Sequence, residues 1–219
     1  MTNLELVLLA AAGAVAVIDW YAVARGDARR ERIAKPAVIA VLMVAALLGD
    51  PEARPVSLLL AAALGASFFG DVLLLPPVRF SAGLVAFFVA HLAYLGAFAV
   101  GPLESGPATI GALVGAGALA VVGRPILVGA ANAGMRRPVA SYFGAIVLMA
   151  VAATASGSPI AAAGAWLFVA SDAVLGRRRF VDDPERTAAA PPWHRLAVMV
   201  PYHLGQILLT AAILIQRAS

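Results

Sequence analysis

Cysteine is absent from the 219-residue chain, which excludes disulfides and thiolate metal sites and leaves the redox compartment unread. Charge is scarce as well. Asp, Glu, Lys and Arg supply 13% of the residues, against 62% hydrophobic ones and a mean hydropathy of +0.92. A soluble domain of this length needs a polar surface, and 16 basic and 12 acidic side chains confined to short clusters cannot cover one. Lipid must therefore be the solvent for most of the surface, and composition predicts an all-α integral membrane protein. Known catalytic signatures are missing too. There is no HExxH, no GxSxG, no Walker loop and no Cys or His cluster at metal spacing, while "GAGA" at 115–118 reads as helix packing. Without a thiol or an elbow serine, covalent acyl chemistry has no evident nucleophile, so paired carboxylates are the chemistry available. No cofactor and no metal are expected.

What the chain does have is long apolar runs. Crossing a hydrocarbon core takes about 20 residues, with 17 to 25 the usual range. Eight segments meet or approach it: 4–24, 36–49, 56–75, 80–100, 107–123, 138–155, 159–176 and 194–215. The connections are rich in Pro, Gly and charge, and none is long enough for a second domain, so a single transmembrane domain over 1–219 is expected. The first segment lacks a basic leader, is too long for a signal core and runs straight into further apolar segments, which reads as a retained helix. The second is short, and "KP" (35–36) suits a helix entry.

Lys and Arg set the orientation. With the amino terminus outside, 14 of the 16 basic residues face the cytoplasm, and only Arg54 and Arg217 lie outside, beside Asp50, Glu52 and Glu104. Eight helices with both termini on the non-cytoplasmic side follow, in a multi-pass protein of the cell (inner) membrane. The basic balance then reflects topology and attraction to membrane lipid, and nucleic acid is not an expected partner. Short matches between "FFGDVLLL" (68–75) and "FVASDAVLG" (168–176), and between "HLAY" (91–94) and "HLGQ" (203–206), allow a duplicated four-helix unit.

Ionisable groups in membrane segments are costly and usually face a bundle interior. Asp71 lies four residues before Leu75, about 6 Å from the end of its segment. Asp172 sits equally close to the end of the seventh, and Asp19 precedes the basic loop after the first. Lys35 opens the second segment, Tyr142 is one turn inside the sixth, and Tyr202 and Gln206 share a face of the eighth. Phe87, His91 and Tyr94 share a face of the fourth, with His91 about 16 Å in from Phe80. Together they outline a polar pocket that opens to the cytoplasm and narrows toward His91 and Tyr94, with Ser67 and Ser171 beside the two aspartates. Each has a plainer reading: headgroup contact for an Asp, a helix staple for His91, an aromatic belt for the tyrosines, close helix approach for the serines. Matching depth on several independent helices favours a site. A lipid or small-molecule transporter with an intramembrane carboxylate and His site is the alternative, although the polar groups gather on one side only.

The order "DW" (19–20), "KP" (35–36), "SFFGDVLL" (67–74), "FSAGLVAFFVAHLAY" (80–94), "SY" (141–142), "GAWLFVASDAVL" (164–175) and "YHLGQILL" (202–209) resembles the YhhN-like lysoplasmalogenases over nearly the whole chain. The resemblance implies a multi-pass bundle, commonly of eight helices, that hydrolyses the vinyl ether of a lysophospholipid to a fatty aldehyde and a glycerophospho-alcohol. It implies catalytic roles for Asp71 and Asp172, and supporting ones for His91, Tyr94, Tyr202 and Gln206. At His203 an aromatic residue is usual in the family, so the chain departs from the pattern there. Lys35 or the loop arginines would hold the phosphate, and the apolar face of the fourth helix the chain.

Overall fold

A computed structural model describes residues 1–48, 54–75 and 79–217, apart from the Arg54 side chain; the expected outer-loop carboxylates Asp50 and Glu52 lie outside these. The described residues are helical, without strands. In chain order they form α1 (Asn3–Arg25), α2 (Ala28–Leu47), α3 (Arg54–Leu74), α4 (Phe80–Ala99), α5 (Ser105–Ala118), α6 (Arg124–Asn132), α7 (Arg136–Ala155), α8 (Pro159–Phe180), the short α9 (Pro184–Ala189) and α10 (Leu196–Gln216). Seven spans among the described residues are long and apolar enough to cross a membrane: α1, α3, α4, the joined α5 and α6, α7, α8, and α10 with the turn before it.

Two elements depart from the expectation. The second helix does not enter at "KP". Asp27 caps it by accepting from the Arg30 N–H at 3.1 Å, and it runs on through Pro36, which sits inside it. Its first turns carry Arg29, Arg30, Glu31, Arg32 and Lys35, so it is not among the seven apolar spans. Glu31 and Lys35, four apart, nevertheless turn inward and are buried. The fifth segment does not stop before a basic loop. It passes through a π turn at Leu119–Gly123 into α6, so Arg124 lies on the helix. Pro125 explains the wide turn: it has no N–H to donate back along the helix, and its ring needs room against the preceding turn. Similarly, α8 continues through Arg177, Arg178 and Arg179, which were expected in a loop.

The helices α1, α2, α3, α4, α7, α8 and α10 pack in that order, and α10 closes the ring against α1. Successive members run antiparallel, except α4 and α7, which the intervening α5 and α6 crossing makes parallel. The α5 and α6 rod packs outside the ring on α7 and α8, and α10 also touches α2 and α3, which makes it the most enclosed span. At the far end Arg217, its side chain 3% exposed, pairs with Glu5 and donates to Ser57 Oγ (2.8 Å) and the Ala46 carbonyl (3.2 Å), tying four helices together. At the basic end the Arg195 guanidinium grips the Glu31 carboxylate with both terminal nitrogens.

α8 and α10 cross closely where glycine meets glycine. A Cβ on Gly205 would stand 2.9 Å from the Gly164 carbonyl oxygen, and one on Gly164 would stand 2.9 Å from the Leu209 backbone nitrogen. Backbone cannot yield as a side-chain tip does. Gly205→Val should cost about 2 kcal/mol or more and lower the melting temperature in detergent. Gly117→Val, where a Cβ meets nothing within 4 Å, should leave it nearly unchanged; equal effects would show that this crossing is not tight.

Candidate active site

Two carboxylates from α3 and α8 anchor two hydrogen-bond networks inside the ring. The first belongs to Asp71, whose side chain is 1% exposed. Lys35, brought inward by α2, places Nζ 3.3 Å from Asp71 Oδ1. Tyr202 of α10 donates its hydroxyl to Asp71 Oδ2 at 2.7 Å. Behind it, Gln206 Nε2 donates to the Tyr202 hydroxyl at 3.5 Å, and Tyr94 of α4 donates to Gln206 Oε1 at 2.5 Å. Every donor in this line points toward Asp71, so the network favours a charged carboxylate balanced by the Lys35 ammonium. The i, i+4 spacing of Tyr202 and Gln206 puts both on the inner face of α10.

The second network belongs to Asp172. Tyr142 of α7 donates its hydroxyl to Asp172 Oδ2 in a short hydrogen bond. His91 Nε2 lies 3.1 Å from the same hydroxyl and 3.7 Å from Asp172 Oδ2. Since the Tyr142 proton is committed to Asp172, its oxygen accepts, which puts the imidazole proton on Nε2. Unlike Asp71, Asp172 is 15% exposed by side chain. It lines a pocket between α4, α6, α7 and α8 whose other walls are mostly apolar: Phe80, Phe87, Ile126, Ile146, Val169 and Phe180 among them. Tyr142 also lines the pocket, so an otherwise apolar slot has a hydrogen-bonded carboxyl in its wall.

Phe168 joins the two networks. Its ring centroid is 4.8 Å from His91 and 5.3 Å from Tyr202, edge-on to both, and Phe87 packs edge-on to Phe168 and Tyr202. Sequence reasoning passed over Phe168, although it stands one turn before Asp172 on the same face. The structure thus gathers Lys35, Asp71, His91, Tyr94, Tyr142, Asp172, Tyr202 and Gln206.

The remaining expected residues are placed differently. Lys35 does not open a helix; it lies two turns inside α2. Ser171 turns away from the site and donates to the Val198 carbonyl at 2.9 Å, stapling α8 to α10. Ser67 is buried one turn before Asp71, and its hydroxyl has no hydrogen-bond partner among the described residues. Asp19 is fully buried beside His203, with Oδ2 3.9 Å from His203 Nδ1. That nitrogen accepts from Trp20 Nε1 at 3.1 Å, so the imidazole proton is on Nε2 and the approach to Asp19 is lone pair to lone pair rather than an ion pair. Asp19 therefore stands outside both hydrogen-bond networks.

Residues 31–213 match the family model described as the YhhN family. The chain is 33% identical to lysoplasmalogenase TMEM86B of Homo sapiens over 156 residues, which are 71% of this chain and 63% of that protein. It is 35% identical to the protein of the same name from Mus musculus over 151 residues, 69% of this chain and 61% of that one. The chain thus spans under two thirds of these relatives. No solved structure matches it.

A buried pair is exposed most clearly by breaking one side. Lys35→Met strands the Asp71 carboxylate and should destabilise the protein by about 3 kcal/mol. Adding Asp71→Asn to that variant should recover most of the loss, read as melting temperature in detergent. A double variant no more stable than Lys35→Met alone would show that the charge pair is not what α2 contributes.

Proposed function

This chain belongs to the YhhN family, and from that premise we propose that it hydrolyses the vinyl ether of a lysoplasmalogen, or of a related lyso-ether lipid, with Asp172 as the proton donor and Asp71 as its charged partner. The observation that carries the reading is the apolar slot with the Asp172 and Tyr142 pair in its wall. A single alkenyl chain suits such a slot, and a carboxyl in its wall meets the first atoms of that chain.

The chemistry follows from the bond. A vinyl ether is protonated at its β-carbon: the C=C electrons take the Asp172 proton to form a C–H bond, and the α-carbon becomes an oxocarbenium ion. Water adds through oxygen to the α-carbon and gives a proton to a carboxylate, leaving a hemiacetal. The hemiacetal releases the glycerol oxygen, which takes a proton, and the aldehyde departs. One water is consumed. Glycoside hydrolysis divides the work between two carboxyls in the same way. Asp172 faces the slot, and Tyr142 occupies only its Oδ2. Asp71, sealed against Lys35 and Tyr202, supplies fixed negative charge for the cation.

For the setting we read eight crossings, α2 included, in a single transmembrane domain with both termini on the non-cytoplasmic side of the cell membrane. The basic residues at the ends of α1, α8 and α9 and at the starts of α2, α4, α7 and α10 support it. The slot then opens toward the cytoplasm, where a lysophospholipid enters from the adjoining leaflet.

Purified protein in detergent should release fatty aldehyde from an alkenyl lysophospholipid. Asp172→Asn should slow release by about 100-fold or more, and Tyr142→Phe by about tenfold, without loss of folded protein. Full activity in both Asp172→Asn and Asp71→Asn would sink the carboxylate mechanism.

A further inference from the structure

We propose that Arg179 binds the headgroup phosphate at the rim of the Asp172 slot and sets a preference for phosphate-bearing over headgroup-free ether lipids; this rests on the functional reading above. Four of the other cations at this end are engaged. Lys35 is buried against Asp71, Arg195 holds Glu31, Arg177 holds Asp182, and Arg178 donates to the His194 carbonyl at 2.6 Å. Arg179 is exposed. Its guanidinium carbon lies 5.2 Å over the Phe80 ring and 6.0 Å over the Phe180 ring. Those rings meet edge-on at 5.9 Å, and both line the slot. A guanidinium resting on an aromatic face keeps its in-plane N–H donors free for an oxyanion. Among the described residues no carboxylate pairs with it.

Spacing supports the assignment. Asp172 and Arg179 are seven residues apart on α8, two turns, so they share a face with about 10 Å of axial rise between them. In a 1-alkenyl glycerophospholipid seven bonds separate the β-carbon of the vinyl ether from phosphorus, about 9 Å when extended. A substrate laid along α8 with its β-carbon at Asp172 brings its phosphate to Arg179. Gly176, one turn past Asp172, lines the slot between them, and a Cβ there would crowd Ile126 at 3.2 Å, so the absent side chain leaves the glycerol room.

The test compares 1-alkenyl glycerophosphoethanolamine with 1-alkenylglycerol, which has the same reacting bond and no phosphate. Arg179→Ala should lower the ratio of their kcat/KM values about tenfold, chiefly through KM for the phospholipid, and Arg179→Lys should restore part of it. Arg186→Ala, on α9, should leave the ratio as it was. A second arm uses the non-hydrolysable 1-alkyl analogues and reads binding. If the analogue with phosphate loses affinity in Arg179→Ala while the one without does not, the phosphate site stands even where aldehyde is never released. Competition by inorganic phosphate as effective as that by the phospholipid analogue would mark a free-phosphate site and overturn the lipid assignment. An unchanged ratio together with unchanged analogue binding would overturn it outright.

Discussion

The Asp71 carboxylate lies 3.3 Å from the Lys35 ammonium, with both nearly sealed from solvent. Removing two such charges from water costs several kcal/mol each, and the pair persists only where its geometry and added hydrogen bonds repay that cost. This constraint reaches through the bundle. It requires α2 to present Lys35 inward, so the helix must begin before Pro36 and carry charged turns into the interior. It requires α10 to turn Tyr202 and Gln206 toward α3, and α4 to supply Tyr94 at the end of the line. Four helices are thereby held in one rotational setting.

Asp172 has no Lys or Arg beside it: Tyr142 donates to it, His91 backs Tyr142, and the slot reaches it. The two aspartates thus have different surroundings, one cation-balanced and closed, the other hydrogen-bonded and open. In the proposed hydrolysis that difference sets donor apart from charged partner. At the far end the Arg217, Glu5 and Ser57 cluster is occupied in joining helix ends.

Much of this was legible along the chain, because lipid enforces simple rules. A residue such as Asp71 in an apolar run has few reasons to be there, so both aspartates and the tyrosines, His91 and Gln206 stood out by cost alone. The helix limits were legible where apolar runs end on charge, as in α4 and α7. They were misjudged where a helix continues through polar sequence. The apolar-run criterion ends the second segment at Lys35 and the seventh before the arginines, yet α2 and α8 extend beyond both, because a helix needs backbone hydrogen bonds and not apolar side chains. Pro36 misled for the same reason: it removes one donor, and a long helix bridges the gap, as another does at Pro125 with a π turn.

Matching depth also misled in part. Asp19 and Ser171 lie level with the site by residue count, but rotation about the helix axis carries Ser171 to the Val198 carbonyl and Asp19 beside His203, and a count from the helix end holds no information on rotation relative to neighbours. Composition and spacing by themselves determined an apolar helical bundle and a set of polar residues too costly to be incidental, and the order of the motifs carried the family resemblance. Only the tertiary structure decided that Lys35 belongs to Asp71, that Tyr142 and His91 belong to Asp172, and that a slot reaches one carboxylate and not the other. Those choices depend on how helices distant in sequence are turned against one another, and that rotation is set by the packing of all of them at once, with Gly164 against Gly205 and Phe168 among its rings.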